Sequence, residues 1–233
     1  MKHILKCIAL SCAWLAGVAT AAPFAYVANE RSGNITVIDT ANDAVVGEFA
    51  AGKRPRGMAA SKDGKLLYVS DQPANSLQIV DIAARKVHTT IKVGKRPRGI
   101  GFTPDGKLAY VACELANRVY AIDVASHKVL AAIPAGVRSN GVRIHPNGKT
   151  VFISNGADGT VSVIDVASNK VTKTITVGQR PWNMSITPDG KKLYVANGRS
   201  NTVSVIDTEK LEKVNDIKVG DQPWGVYIPE SDY

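Results

Sequence analysis

One spacing governs this chain. Asp39, Asp81, Asp123, Asp165 and Asp207 lie 42 residues apart, and Gly52, Gly94, Gly136, Gly178 and Gly220 keep the same step. So do Tyr26, Tyr68, Tyr110, Phe152 and Tyr194, and the turn glycines Gly64, Gly106, Gly148 and Gly190. A period carried through five copies without insertion marks a repeat architecture, in which each unit buries its apolar face against its neighbours.

The second copy shows what a unit contains. Residues 57–61 are followed by the turn Lys62-Asp63-Gly64, then by Leu66-Leu-Tyr-Val-Ser70, a polar loop and Leu77-Gln-Ile-Val-Asp81; after a second turn, residues 87–93 lead to Gly94. β-branched and aromatic residues alternating between Asp-Gly or Asn-Gly turns are strand and hairpin signals, and no stretch past the N-terminal segment keeps a helical period. Four antiparallel strands in about 40–45 residues make a propeller blade. The sequence therefore predicts an all-β β-propeller of five four-stranded blades of 42 residues. Residues 24–28 carry a second-strand pattern and Gly225-Val-Tyr-Ile228 a first-strand pattern. These two segments are expected to share a blade, giving N/C-terminal strand closure; an open solenoid and part of a longer ring are the alternatives.

Hydrophobic residues make up 45% of the chain and charged ones 21%, which excludes a wholly disordered polymer. The most continuous apolar run is at the N-terminus. Lys2 and Lys6 precede an apolar stretch from Ile8 to Val18, and Ala19-Thr20-Ala21 has the A-x-A form of a cleavage site. Residues 1–21 read as a signal peptide and 22–233 as a single propeller domain, so a periplasmic or secreted protein is expected, without a membrane span after cleavage. An uncleaved anchor and a lipoprotein through Cys12 are weaker readings. Cleavage removes Cys7 and Cys12, leaving Cys113 without a disulfide partner. Net charge falls from +9 to +7, a basic balance that favours anionic partners.

The segment Thr187-Pro-Asp-Gly-Lys-Lys-Leu-Tyr-Val-Ala-Asn197 with Asn201-Thr-Val-Ser-Val-Ile-Asp207 resembles the YVTN-type β-propeller repeat. Asn29-Glu-Arg-Ser-Gly33, Gly52-Lys-Arg-Pro-Arg-Gly57 and Gly94-Lys-Arg-Pro-Arg-Gly99 resemble a narrower group, the exported propellers associated with PQQ-dependent alcohol oxidation (PQQ, pyrroloquinoline quinone). The first resemblance spans the region past the signal and implies a propeller, whose usual ring in that family has seven blades. The second implies PQQ or another anionic small molecule as ligand, and a periplasmic dehydrogenase as partner.

Candidate chemistry collects in the loops between blades. Arg54, Arg96, Arg138 and Arg180 are equivalent, with Gln222 fifth; two positions on stand Arg56, Arg98, Asn140, Trp182 and Trp224. The facing loops begin with Asn29, Asp71, Cys113, Asn155 and Asn197. Guanidinium forks bind carboxylates or phosphates, and indoles stack on planar rings. One reading makes Arg54, Arg56, Arg96, Arg98, Arg138, Arg180, Trp182, Trp224, Asn29, Asn155 and Asn197 a ligand-binding mouth. The other ties the repeated arginines to carbonyls or carboxylates between blades. Of these residues, the asymmetric Arg56, Arg98, Trp182 and Trp224 are the better functional clue.

The aspartate series reads as turn caps rather than catalytic carboxylates. His88, His127 and His145 lack metal-ligand spacing, and no haem, P-loop or serine-hydrolase motif is present. No catalytic or metal residue is assigned. The expectation is an exported, monomeric, non-enzymatic binding or scaffold propeller that captures an anion or docks a partner. A lactonase-like enzyme and a protein or nucleic-acid interaction module are the alternatives.

Overall fold

The computed structural model describes residues 24–229, so the signal peptide expected at residues 1–21 lies outside the described residues. Every regular element in that span is a strand. The first sheet holds β1 (Phe24–Asn29), β2 (Asn34–Asp39) and β3 (Ala44–Ala50). The second holds β4 (Pro55–Ala60), β5 (Leu66–Asp71), β6 (Ser76–Asp81) and β7 (Lys86–Lys92). The third holds β8 (Pro97–Phe102), β9 (Leu108–Cys113), β10 (Arg118–Asp123) and β11 (Val129–Pro134). The fourth is β12 (Ser139–Ile144), β13 (Thr150–Asn155), β14 (Thr160–Asp165) and β15 (Lys170–Thr176). The fifth is β16 (Pro181–Ile186), β17 (Lys192–Asn197), β18 (Thr202–Asp207) and β19 (Glu212–Lys218). Each sheet is an antiparallel meander in chain order, as the 42-residue unit predicts.

Position within the blade sets burial. In the second to fourth sheets the second and third strands lie between neighbouring blades and are largely buried, while the fourth strand is mostly exposed. A register shift recurs between the third and fourth strands, at Val37/Ile38, Ile79/Val80, Ala121/Ile122, Val163/Ile164 and Val205/Ile206. A bulge there increases twist in each outer hairpin. The aspartate series caps turns: Asp81, Asp123, Asp165 and Asp207 accept from the backbone N–H three residues on, at 2.7–2.9 Å, and Asp39 from that of Ala41 at 2.8 Å.

The aromatic series closes the seams. Tyr68, Tyr110 and Phe152 are fully buried, and the two tyrosines each bond the residue 59 positions later. Tyr68 Oη lies 3.2 Å from His127 Nδ1, and Tyr110 donates to Asn169 Oδ1 at 2.8 Å. Phe152, which has no hydroxyl, shares its apolar cluster with Leu211. The partner thus changes with the ring, because a buried hydroxyl needs a bonding partner and a phenyl ring does not. Burial, reinforced by Asp123 and Asp165 respectively, pushes both tyrosines up to about 12.

The first strands pack side by side around the axis. A Cβ at Gly57, Gly99 or Gly141 would lie 1.9, 2.5 or 2.5 Å from the carbonyl oxygen of Arg98, Asn140 or Trp182, so glycine permits this approach. Arg143 on β12 fills one such seam, donating to the Met184 carbonyl from Nε and Nη2 at 3.1 and 2.8 Å.

The five units are as expected, but the closure is not formed. The first sheet has three strands, and residues 225–228 adopt no strand. Instead, the Asn183 N–H donates to the Trp224 carbonyl at 3.3 Å, holding this segment on the fifth sheet. Among the described residues no hydrogen bond, ion pair or ring contact joins the first sheet to the fifth. The inter-blade angles are set by the four buried seams, and five blades so joined stop short of a full turn. The fold is an open arc of a propeller.

Candidate functional site

The loops entering each blade and those joining its second and third strands form one rim. Asp71 at the end of β5 accepts from the Lys53 and Arg54 N–H groups at 3.0 and 3.2 Å. The N–H groups of Glu114, Gly156 and Gly198 donate to the carbonyls of Arg96, Arg138 and Arg180 at 2.9, 3.0 and 3.0 Å. Arg96, Arg138, Arg180 and Gln222 have φ of 59°, 60°, 56° and 51°, left-handed backbone that is uncommon for such side chains. The side-chain oxygens of Asn75, Asn117 and Asn201 accept from the N–H of Arg96, Arg138 and Gln222. The repeated position therefore has a backbone role in turning the chain, and its side chain is left free to differ between blades.

The side chains divide by blade according to the residue just after the second strand. That position is Glu30, Gln72, Glu114, Gly156 and Gly198 in turn. Glu30 pairs with Arg54, and with Arg56 at 3.3 Å. Although burial works to raise it, the hydrogen bond from Arg54 and the charges of Arg56, Arg54 and Arg98 hold the Glu30 carboxyl below the usual range. Glu114 receives Arg98 Nε at 2.7 Å and Arg96 Nε at 3.4 Å. Arg98 and Glu114 keep only 9% and 5% of their side chains exposed, making this an interior ion pair. Burial draws the Arg98 pKa down while Glu114 supports the cation. Four of the expected ligand arginines, Arg54, Arg56, Arg96 and Arg98, are thus matched by carboxylates.

Where glycine stands at this position, the rim is cationic and aromatic. A cavity of about 520 Å³ is lined by Arg138, Asn140, Arg180, Trp182 and Arg199, and also by the carboxylates Glu114 and Asp158. A second, of about 370 Å³, shares Arg180, Trp182 and Arg199 and adds Gln222 and Trp224. No ion pair engages Arg138, Arg180 or Arg199 among the described residues. Asp158 accepts from the Val137 N–H, which anchors it to the loop backbone. The Arg180 guanidinium lies 4.7 Å over the Trp182 ring, and the Trp182 and Trp224 rings are 4.5 Å apart at 34°. Both distances suit cation–π and stacked-ring attraction. Gly198 makes room for the indole, since a Cβ there would lie 2.8 Å from Trp182 Nε1.

The asparagines do a different job. Asn155 and Asn197 are fully buried, and each donates Nδ2 to hydroxyls five and seven residues on: Thr160 and Ser162 at 3.0 and 2.9 Å, Thr202 and Ser204 at 3.1 and 2.8 Å. Asn29 donates likewise to the Thr36 hydroxyl at 2.7 Å, but five residues on its acceptor is the Asn34 amide oxygen, at 3.0 Å. They lace their own hairpins, and the recurring hydroxyl at i+5 and i+7 is the sequence signal for it. Cys113 replaces asparagine in the third blade and is fully buried, with burial pushing its thiol up to about 12. Arg199, not among the candidates expected from the sequence, joins the cluster, its N–H donating to the Gln179 carbonyl at 3.1 Å. On the opposite rim, the His88 and His127 rings are 5.8 Å apart, and no group of three metal-ligating side chains occurs among the described residues.

Residues 17–104 match a family described as YNCE-like β-propeller, and residues 83–224 one described as lactonase, 7-bladed β-propeller. No curated protein matches the chain. Among solved structures, Kuenenia stuttgartiensis hydrazine synthase is similar at 27% identity and TM-score 0.73, over 84% of this chain and 67% of that one. A protein of unknown function from Desulfotomaculum acetoxidans gives 20% and 0.80, over 89% and 69%. A candidate 6-phosphogluconolactonase from Bacteroides uniformis gives 22% and 0.75, over 88% and 71%. The last two likenesses carry the fold alone. All three chains are longer than this one, which covers 67–71% of their lengths. With the second match covering more than half its residues, this chain belongs to the lactonase, 7-bladed β-propeller family.

Proposed function

We propose that the protein is an exported, non-catalytic receptor for a planar anion with several carboxylates, bound between the fourth and fifth blades. The observation that carries this reading is the cluster of Arg138, Arg180 and Arg199, without carboxylate partners, around the stacked Trp182 and Trp224. Guanidinium groups hold carboxylates by charge-assisted hydrogen bonds, and an indole face covers a flat ring. The resemblance to exported propellers of PQQ-dependent oxidation makes PQQ, a planar tricarboxylate, the first ligand to test, and a periplasmic dehydrogenase the partner that would receive it.

Titrating the protein with PQQ and with benzene tricarboxylate, read by tryptophan quenching and calorimetry, tests the reading. Removing Arg138 and Arg180 together should weaken binding at least about 100-fold, at about 1.5–3 kcal/mol for each charged hydrogen bond lost. Removing Arg54 and Arg56 should change it less than about threefold. Equal loss from the two pairs, or no saturable binding, rejects the site.

Family membership supports a second reading, hydrolysis of a sugar lactone whose phosphate or carboxylate the same arginines hold. A pH-stat assay with 6-phosphogluconolactone separates the two. Turnover above the spontaneous rate that Arg138→Ala abolishes would favour the enzyme.

A further inference from the structure

The two ends of the arc are complementary. Among the described residues the first sheet has no inner strand and the inner edge of β1 has no strand partner, and Phe24 and Val27 are 47% and 42% exposed. Tyr26 is half-buried, unlike Tyr68, Tyr110 and Phe152. At the other end, Gly225–Ile228 has the sequence of an inner strand but the pairing of none, and Tyr227 is 83% exposed.

The register of a match follows from the period. In the second sheet Pro55, Met58, Ala59 and Ala60 face Asp71, Val69, Tyr68 and Leu67. Shifted by the 42-residue step, Pro223 faces Asn29, Val226 faces Val27, Tyr227 faces Tyr26, and Ile228 faces Ala25. The segment would lie along Val27 at the centre of β1 and set Tyr227 across from Tyr26, a favourable cross-strand pair. An unpaired edge is a template for such addition. In this arc the same copy does not supply the strand: among the described residues no backbone hydrogen bond joins its first and fifth sheets, and Trp224 is held on β16.

We propose that Gly225–Ile228 of one copy adds to β1 of a second copy as its missing inner strand. Donor and acceptor are different surfaces, so the contact is head-to-tail, and association proceeds until a ring closes or continues as an open chain. The proposal is independent of what binds at the rim.

Light scattering on the full chain across about 1–100 µM reads the association. The expected result is a mass at least twice that of one chain, growing with concentration. Successive strand N–H groups point to opposite sides, so Val226→Pro and Tyr227→Pro between them remove the ladder donor. Both positions lie outside any formed strand, so the five sheets should keep their circular dichroism and melting temperature while at least one variant becomes monomeric. A peptide of residues 221–229 added in excess should dissociate the wild-type assembly. A wild-type monomer at every concentration overturns the proposal, as does an assembly indifferent to both prolines. A monomer whose melting temperature falls with either proline would mean closure within one copy, and overturns it too.

Discussion

The two sides of the rim use the same backbone to opposite electrostatic ends. On the side of the first three blades, Glu30 and Glu114 sit just after their second strands, and each is shared by two arginines, Arg54 with Arg56 and Arg96 with Arg98. On the side of the last two, Gly156 and Gly198 stand in their place, and Arg138, Arg180 and Arg199 gather around indoles instead of carboxylates. A ring of repeated arginine is therefore not a ring of equally available donors. One neighbouring position, glutamate or glycine, decides whether each guanidinium is a strut or a vacant donor.

Glu114→Ala should have the largest effect, because it leaves Arg98 charged and buried without its partner. Breaking an interior ion pair costs about 3–5 kcal/mol, measurable as a lower urea midpoint with unchanged slope. A loss below about 1 kcal/mol would place this pair with ordinary surface ion pairs.

Gly156→Glu tests the comparison from the other side. A Cβ there meets nothing closer than 3.6 Å and the backbone is not left-handed, so stability should hold. The new carboxylate should capture Arg138 or Arg180 and weaken anion binding at least tenfold, about 1.4 kcal/mol. Unaltered binding would mean that the cationic half does not hold the ligand.

Glu30→Gln should have the smallest effect on stability, within about 1 kcal/mol for so exposed a pair. It should free Arg54 and Arg56 and create a second, weaker anion site, seen as a new calorimetric phase. Acid does the same to the native side chain. Since the folded carboxyl is held below its ordinary value of 4.5, its contribution is intact above that pH and is lost as pH falls through the lowered value. Anion uptake on this side should therefore rise on acidification in the wild type and stay flat in Glu30→Gln.

Much of this was readable along the chain. The 42-residue step placed five blades, and the aspartates fell where a short acceptor closes a turn; both depend on local spacing. The pairing of Glu30 and Glu114 was hidden because it crosses loops. Glu30 reaches forward to Arg54, whereas Glu114 reaches back to Arg98, and no single offset describes both. Asn29, Asn155 and Asn197 looked like mouth residues because they begin rim loops, yet their side chains turn into the hairpin.

The sequence by itself determined the repeat, the strand order within each blade and the register, because hydrophobic alternation and turn chemistry act over a few residues. Only the tertiary structure decided which arginines lack a carboxylate partner and that, among the described residues, the last strand segment does not pair with the first sheet. Both outcomes depend on distances between blades, and those come from the sum of several packed seams rather than from any one of them.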